Sequence, residues 1–293
     1  MRNQIINAVL ENMSTNPDTF FLTADMGINL VEKIQQKYPD RFCNVGIAEQ
    51  NLIGISAGLS NLGYRPFTYT ISNFNIHRCY EQIRNEIGIN GHPITLLGTS
   101  TGYDHASLGP THHVIDDWGA IRNIPGIDIY CPSSVTAASI MVTKILSRCR
   151  PAYVRIPKGA FKSPNSSDDM VLMPGEGKGI LLVSYGSIVQ NCLAVKEKIP
   201  SVSILVFNCL RPIDEETTAK IISSYQKVFI VEDHFPGTGL YNVLCELVTK
   251  KSISRNLTSI APPPNYDMEV GVSPDFFHRK FGLDIEGIQK VIS

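Results

Sequence analysis

Residues 45–51 read VGIAEQN, and they place one carboxylate, Glu49, among small and apolar side chains. The apolar periodicity that follows predicts a helix beginning near this residue. A carboxylate at a helix start is stabilised by the helix dipole and by unpaired backbone N–H groups, so capping is the simplest interpretation. Spacing alone favours that interpretation and leaves a chemical role for the acid open.

Two further stretches carry side chains suited to ligand binding. In ISNFNIHR the end of a strand delivers Phe74 at the turn into a helix, a position that is more often part of a core. In LGPTHHVIDD a Gly-Pro turn is followed by adjacent histidines, His112 and His113. Loops after parallel strands are where open α/β sheets bind ligands. The histidines are therefore candidate ligand contacts, with an ordinary surface loop as the alternative.

Strand-like and helix-like segments alternate around these candidates. The strand-like segments of the first half are TFFLTAD, RPFTYTIS, PITLLGTS, GIDIYCPSS and AYVRIP. The helix-like segments are NLIGISAGLSNLG, FNIHRCYEQIRNEIG and VTAASIMVTKILSRC. Ser133 or Ser134 is expected to cap the last of these helices. Apolar strands that alternate with helices predict parallel sheets covered on both faces.

The same alternation restarts in the second half, from GILLVSYGS to GLYNVLCELVTKK. Between the halves, KGAFKSPNSSDDMVLMPGEGKG is rich in Gly, Pro, Ser and charge and has no helical period, which indicates a linker. We therefore predict an α/β fold with two doubly wound domains. The first covers residues 1–163, the linker covers 164–176 and the second domain covers 177–293.

Composition excludes several classes of protein. The 293 residues are 43% hydrophobic and 18% charged, as in globular proteins, and the net charge of −1 provides no field for nucleic acid or an anionic membrane. No apolar run approaches the about 20 residues that a membrane span needs, and the N-terminus does not resemble a secretory signal. Seven scattered cysteines without a CxxC pair predict reduced thiols. We expect a cytoplasmic protein with no nucleic-acid or membrane partner.

Several phosphate-binding and catalytic motifs are missing. Neither half carries the G-x-G-x-x-G dinucleotide signature, the P-loop or the G-x-S-x-G nucleophile elbow. GEGKG resembles a phosphate loop only in composition, and it lies in the predicted linker. No HxxxH motif or carboxylate cluster indicates a metal site made by this chain alone. The pattern is that of an α/β enzyme part without its own phosphate-binding loop.

Taken together, these blocks resemble the transketolase family of thiamine-diphosphate enzymes. RFCNVGIAEQNLIGISAGLSNLGYRPF is similar to the segment that carries the pyrimidine-binding glutamate of that family. GPTHHVIDDWGAIRNIPGIDIYCPSS resembles the loop that the family writes as GPTHQ and the strand after it. RPAYVRIPKG is similar to the end of the same domain in deoxyxylulose-phosphate synthases. CLRPIDEE and VEDHFPGTGL resemble the C-terminal domain, so the resemblance covers essentially the whole chain.

Members of this family have a diphosphate- and magnesium-binding domain, a pyrimidine-binding domain and a C-terminal domain. This chain resembles the last two, and the family's diphosphate motif, G-D-G followed by Asn, is absent. The resemblance implies the C-terminal subunit of a split transketolase. It also implies an N-terminal partner subunit that holds most of the thiamine diphosphate and its Mg²⁺. Family sites lie between chains, so a heterotetramer with two copies of each subunit is expected.

The resemblance assigns Glu49 the hydrogen bond to a pyrimidine ring nitrogen that favours the imino tautomer of the cofactor. A buried acid can share a proton in this way, whereas a solvated carboxylate does so poorly. Phe74 matches the aromatic residue that stacks on the pyrimidine. His112 matches the GPTH histidine, which contacts the sugar near its reacting carbonyl. Asp25, after the first strand, matches an aspartate whose neighbourhood faces the cofactor.

Three more residues are expected to contact the substrate. Lys158 stands where relatives place a basic residue for the sugar phosphate, and Arg155 is close upstream. A lysine would act as a point charge, whereas an arginine can bind in a bidentate way. His113 stands where the family usually has Gln, and its role is open. No residue of this chain is expected to bind the metal.

Two positions depart from the family pattern for sugar phosphates. Leu108 stands where transketolases have an aspartate that helps to read a substrate hydroxyl, and Ser100 replaces a phosphate-contacting histidine. A less polar, branched or nucleotide-linked sugar is therefore a possible acceptor. Asp104 and His105 are candidates to replace the lost contacts.

The main hypothesis is transfer of a two-carbon ketol unit between sugars or sugar phosphates, in complex with the partner subunit. The beta subunit of a 2-oxo-acid dehydrogenase is an alternative, because it shares the two-domain layout and an I-A-E-Q block. A deoxyxylulose-phosphate-synthase-like carboligase is another, although that family is normally a single longer chain. A non-catalytic partner subunit is the last, and intact Glu49, Phe74 and His112 argue against it.

Overall fold

The computed structural model of the protein describes residues 1–161 and 164–293, which form two α/β sheets flanked by helices. The domain boundary predicted at residue 163 lies outside the described residues. Within those residues no helix is long and apolar enough to cross a membrane. The same residues contain no cluster of three or more His, Cys, Asp or Glu side chains that could hold a metal ion.

The first domain contributes six strands, all parallel to their neighbours. They are β1 (Thr19–Thr23), β2 (Phe42–Asn44), β3 (Arg65–Ile71), β4 (Thr95–Thr99), β5 (Asp128–Tyr130) and β6 (Ala152–Ile156). Their order across the sheet is β5-β6-β4-β3-β1-β2. Because the strands run in one direction, all their carboxyl ends meet at one edge of the sheet.

Helices cover both faces of this sheet, as the alternation predicts. They are α1 (Arg2–Thr15), α2 (Glu32–Lys37), α3 (Glu49–Asn61), α4 (Ser72–Ile76), α5 (Tyr80–Gln82, continuing as a wider helical turn over Ile83–Ile89), α6 (Asp117–Ile121) and α7 (Val135–Arg148). Of the two serines predicted to cap α7, Ser134 does so, since its side chain accepts the N–H of Ala137 at 3.1 Å.

The second half forms a five-stranded sheet in the order β12-β11-β8-β9-β7. The strands of this half are β7 (Met170–Met173), β8 (Ile180–Tyr185), β9 (Val202–Phe207), β10 (Cys209–Arg211), β11 (Lys227–Val231) and β12 (Leu257–Ile260). Of these, β10 is not part of the five-stranded sheet. The helices are α8 (Val189–Lys198), α9 (Glu215–Ser223), α10 (Leu240–Lys250), α11 (Pro274–Lys280) and α12 (Ile285–Ile292). All pairings in this sheet are parallel except β7 with β9.

Two strands differ from the sequence-based division of the chain. β7 lies inside the stretch 164–176 that was predicted as linker, and it pairs antiparallel with β9. β10 follows the second domain's β9 in sequence but pairs antiparallel with β5 of the first sheet. An unpaired edge leaves backbone groups without partners, and β10 covers the edge that β5 would otherwise expose. The two domains therefore share a sheet as well as a core.

A line of buried polar contacts joins the domains. The indole Nε1 of Trp118 donates to the Tyr185 hydroxyl at 3.0 Å, and that hydroxyl donates to Oε2 of Glu232 at 3.0 Å. The same carboxylate accepts the backbone N–H groups of Leu240 at 2.8 Å and Tyr241 at 3.0 Å, at the start of α10. Burial raises the pKa of Glu232 to about 7, even though these hydrogen bonds act to lower it.

We expect the Glu232→Gln variant to be less stable by about 1–3 kcal/mol, because the amide brings two N–H donors to a position that already faces three protein donors, whereas the protonated carboxyl brings one and the carboxylate none. The pKa of Glu232 is higher in the folded chain than its ordinary 4.5, so its protonation stabilises the wild type at low pH. That contribution is lost as pH rises through about 7, and Gln has none of it. The stability advantage of the wild type over the variant should therefore shrink between about pH 5 and about pH 8.

Urea unfolding at the two pH values measures this difference. Glu246→Gln is the control, because Glu246 lies on the same helix α10 with a side chain that is 61% exposed. A difference between wild type and Glu232→Gln that stays constant with pH would contradict the assignment of the titration to Glu232.

Candidate functional site at the carboxyl edge of the first sheet

The predicted site residues follow the carboxyl ends of neighbouring strands. Asp25 follows β1, Glu49 follows β2, Phe74 follows β3, His112 follows β4 and Lys158 follows β6. These strands are adjacent in the sheet, in the order β6-β4-β3-β1-β2. The fold therefore places these five residues along the one edge where open α/β sheets bind ligands.

Glu49 is the first residue of α3, and only 2% of its surface is exposed. It does not cap the helix, because no side-chain capping hydrogen bond is formed there. Its Oε2 instead lies 2.5 Å from Nη1 of Arg78. The capping interpretation therefore does not describe what the carboxylate does, and the residue stands as a buried acid paired with a partly exposed cation.

Phe74 lies in α4 and is only partly buried, so it is not a core residue. Its ring meets the ring of His112 edge-on, with centroids 5.3 Å apart. The guanidinium carbon of Arg78 lies 4.6 Å from the centroid of the same ring. Phe74 thus connects the buried acid of α3, through Arg78, to the loop after β4.

Two buried polar side chains at the start of α4 hold the loop after β4 in place. Nδ2 of Asn73 donates to the carbonyl of His113 at 2.6 Å. Oγ of Ser72 donates to the carbonyl of Ser100 at 2.8 Å. Because Phe74 follows these residues directly in α4, they determine how closely its ring approaches His112.

His112 belongs to a short row of basic side chains. Its ring centroid lies 6.0 Å from that of His105, and Nδ1 of His105 lies 3.1 Å from Nζ of Lys158. The lysine also donates to the carbonyl of Asp104 at 3.0 Å. An ammonium group only donates, so Nδ1 of His105 accepts and its proton resides on Nε2.

Burial favours the neutral form of both histidines in this row. It lowers the pKa of His112. Burial, followed by the nearby charge of Lys158, lowers the pKa of His105 to about 4. Each ring can therefore donate one N–H to a ligand without carrying a charge.

Arg155 and His113 do not reach this edge. Arg155 lies within β6 with no exposed surface, and its Nε donates to Asp117 at 2.7 Å. Burial is the largest single influence and opposes its charge, but Asp117, Tyr185 and Cys131 together raise the pKa of Arg155. His113 is 1% exposed and packs edge-on against Tyr103 and Phe277. Both residues lie beneath the surface that holds the other candidates.

Asp25 is exposed, and its backbone N–H donates to Oδ1 of Asn44, which also accepts the N–H of Gly46. This asparagine ties the end of β1 to the segment that leads to Glu49. Ser100 is fully buried, whereas Leu108 is 53% exposed at the tip of the loop after β4.

The C-terminal domain lies against this loop. The N–H of Gly271 donates to the carbonyl of Ser107 at 2.9 Å. A Cβ on Gly109 would lie 2.7 Å from Val270, and the φ of Gly109 is +80°, so only glycine fits there. The loop that carries His112 is therefore enclosed by both domains.

The sequence interpretation did not identify Arg78, and it named His105 without placing it. Arg78 stands four residues after Phe74, which is the helical spacing of a cation over a ring. That spacing was the available signal. The contact with Glu49 joins residues 29 positions apart, and the sequence contains no local sign of it.

We expect Lys158→Met to raise the pKa of His105, because it removes the cation that contributes to its low value. The same substitution removes the donor at Nδ1, so both tautomers of the ring become populated. Nitrogen-15 NMR of labelled histidines measures both effects.

Lys178→Met is the matched control, since Lys178 contacts Tyr225 in the second domain. If the titration and tautomer of His105 are the same in Lys158→Met and the wild type, the proposed contact is not formed in solution.

Comparisons with known proteins agree with this architecture. Residues 1–164 match the family model of the transketolase pyrimidine-binding domain, and residues 170–288 match that of the transketolase C-terminal domain. A solved structure described as "Split gene transketolase, inactive beta4 tetramer" superposes with a TM-score of 0.87 at 24% identity, covering 99% of this chain and 97% of that one. This similarity confirms the predicted α/β fold.

Curated relatives cover the same two domains. The chain is 26% identical over 300 residues to an apulose-4-phosphate transketolase subunit of Phocaeicola vulgatus, covering 99% of this chain and 95% of the relative. It is 31% identical over 225 residues to the protein of the same name from Actinobacillus succinogenes, covering 73% and 72%. The 1-deoxy-D-xylulose-5-phosphate synthase of Neisseria gonorrhoeae is 28% identical, but the match covers 36% of that longer chain. The chain therefore belongs to the transketolase family, of which it carries the pyrimidine-binding and C-terminal domains.

Proposed function

We propose that this chain is the C-terminal subunit of a split, thiamine-diphosphate-dependent transketolase that moves a two-carbon ketol unit between sugars. The observation that supports this most directly is the buried carboxylate of Glu49, which Arg78 joins to the partly exposed ring of Phe74, with His112 edge-on beside that ring. Two relatives are themselves named as single subunits of a transketolase, and this chain matches most or nearly all of their length, which supports the split arrangement.

Transketolase-family proteins generally use thiamine diphosphate, and the residues present fit its pyrimidine half. A carboxyl group that is 2% exposed can hold a strong hydrogen bond to a ring nitrogen, because water does not compete there. The partly exposed face of Phe74 offers a flat apolar surface for a ring. We assign the diphosphate and Mg²⁺ mainly to the partner subunit, in a complex with two copies of each chain.

When bound, thiamine diphosphate supplies the nucleophilic carbon that carries the transferred unit. In this proposal Glu49 holds a proton at the carboxyl oxygen that faces the pyrimidine nitrogen, and Phe74 orients the ring. Asp25 lies at the same edge and is linked through Asn44 to the segment before Glu49, which supports its proposed position near the cofactor. Glu49 is shielded from water, and this strengthens the hydrogen bond that it is proposed to make.

His112 is the proposed contact for the reacting oxygen of the substrate. Burial lowers its pKa and so favours the neutral ring, which can donate an N–H to an oxygen on which negative charge develops. His105 presents Nε2–H beside it, and Lys158 holds this tautomer while adding a positive charge for an anionic sugar. Arg155 and His113 are left out of the substrate contacts because of their burial.

The proposed substrate is a sugar or sugar phosphate. It does not need the contacts that common transketolase substrates make with an aspartate and a histidine at two positions of the family. Leu108 exposes an apolar side chain where the family has a carboxylate, and Ser100 is buried where a phosphate-contacting histidine is expected. The relatives from Phocaeicola vulgatus and Actinobacillus succinogenes are named for apulose 4-phosphate, so a phosphate ester of a branched sugar is the first donor to test.

Glu49→Gln should abolish activation of the cofactor in the complex with the partner subunit, because the amide cannot hold the acidic proton. The measurement is deuterium exchange at the thiazolium carbon of bound thiamine diphosphate. Glu11→Gln, on the exposed face of α1, is the control and should exchange at the wild-type rate. Near-normal exchange in Glu49→Gln would rule out the proposed role.

A panel of donors separates the proposed reaction from the carboligase that the 28% identical synthase suggests. We expect the complex to take a two-carbon unit from ketose phosphates, releasing the shortened aldose phosphate, and from hydroxypyruvate, releasing carbon dioxide, with pyruvate giving no product. Carbon dioxide release from pyruvate would favour the 2-oxo-acid-using alternatives. A complex that binds the cofactor but reacts with no donor would support the non-catalytic one.

A further inference from the structure

Arg78 lies between the two side chains that are proposed to hold the pyrimidine. Its Nη1 lies 2.5 Å from Oε2 of Glu49, and its guanidinium carbon lies 4.6 Å from the centroid of the Phe74 ring. In the described part of the chain, these are the hydrogen-bond and ring contacts of the guanidinium. The backbone is held separately, since the carbonyl of Arg78 accepts Nε2 of Gln50 at 3.2 Å.

A guanidinium group and an aminopyrimidine ring can occupy the same position between these neighbours. Both are planar and both can pair with a carboxyl group: the guanidinium donates N–H groups to the carboxylate, whereas the pyrimidine ring nitrogen accepts the proton of the carboxylic acid. Both also pack favourably against an aromatic ring. Arg78 therefore already makes the two contacts, with the acid and with the ring, that the proposed function requires of the pyrimidine.

The two partners of the ion pair differ in exposure. The Glu49 side chain is 3% exposed and the Arg78 side chain is 44% exposed. A buried carboxylate without a partner is strongly destabilising, so the chain needs a cation or donor at this point. The Arg78 side chain is partly exposed, so it loses less packing on leaving than the nearly buried Glu49 would. The pair can therefore be broken by moving Arg78 alone, provided another hydrogen-bonding group replaces it at the carboxyl.

We propose that Arg78 is a displaceable occupant of the pyrimidine site. It pairs with Glu49 and covers Phe74 in the chain without cofactor, and it swings into solvent when the aminopyrimidine binds. This inference rests on the proposed function, because it requires that Glu49 and Phe74 receive that ring. It adds that Arg78 and the aminopyrimidine compete for Glu49, so the cofactor binds only when the ion pair between Arg78 and Glu49 is broken.

Arg78→Met removes the competing charge and donors while keeping an unbranched side chain. The probe is 4-amino-5-hydroxymethyl-2-methylpyrimidine, titrated into the full-length chain and followed by ligand-observed NMR. We expect Arg78→Met to bind it roughly tenfold more tightly than the wild type, which corresponds to about 1.4 kcal/mol. Arg84→Met is the matched control, because Arg84 is an exposed arginine whose guanidinium donates to its neighbour Asn85, and it should bind like the wild type.

Equal or weaker binding by Arg78→Met overturns the proposal, since it would make Arg78 a bystander or a cofactor contact. Absence of binding in both forms overturns it too, because removing the competitor must open a pyrimidine site. The Glu49→Gln variant distinguishes a failure of the proposed function from a failure of the Arg78 proposal alone. Probe binding that survives Glu49→Gln contradicts the proposed function, whereas its loss together with unchanged binding by Arg78→Met contradicts the Arg78 proposal alone.

Arg78→Gln covers the case in which the Met variant does not fold. Glutamine keeps an N–H donor for Glu49 but removes the charge, so tighter probe binding than in the wild type is still expected. Thermal unfolding supplies a second readout that a bystander would not move. Removal of Arg78 should lower the Tm in the native background and leave it nearly unchanged in the Glu49→Gln background, where no charge is left unpaired. Additive effects of the two substitutions would overturn the proposal.

Discussion

The candidate site depends on the buried ion pair between Asp117 and Arg155. Arg155 on β6 donates to both oxygens of Asp117, at 2.7 and 2.9 Å, and to the carbonyl of Val114 at 3.0 Å. Val114 closes the loop that carries His112, so this loop is fastened to the strand that leads to Lys158. Neither charge has exposed surface, and removing one partner of such a pair is strongly destabilising. The distances among His105, His112 and Lys158 therefore depend on an ion pair that is closed to solvent.

Local patterns were sufficient to predict most of the fold. The alternation of apolar strands with helices indicates parallel sheets, because each segment carries its own period and length. β10 could not be found in this way. It spans Cys209–Arg211, and it is a strand only because β5 offers an edge in the other domain. β7 was hidden for a different reason: its neighbours are rich in Gly, Pro and Ser, which indicates a linker, although Met170–Met173 pair with β9.

The candidate site was predictable where a motif places a residue in the segment that follows a strand. Glu49, Phe74 and His112 are of this kind, although only Phe74 follows its strand closely, and the structure brings them to one edge. Arg155 looked equivalent to Lys158 from its position in sequence, but β6 ends at Ile156. A residue inside a strand faces a covered side of the sheet, whereas one beyond the strand end can turn to the edge. Arg155 is therefore buried and Lys158 is not. Their spacing in the sequence does not show which of them lies inside the strand and which lies beyond its end.

The proposed function, in which a second polypeptide completes the site, raises a physical problem for the separate chain. In that proposal Glu49 must be excluded from water to be effective. A carboxylate that is excluded from water and has no partner, however, destabilises the fold that carries it. Here the counter-ion belongs to the same chain, one helical turn beyond the ring at Phe74. Because Glu49 is buried and Arg78 is partly exposed, we expect the acid to keep its position whichever partner it has. The asymmetry of exposure thus allows one carboxylate to stabilise the isolated chain and to remain accessible to a ligand that can replace the guanidinium.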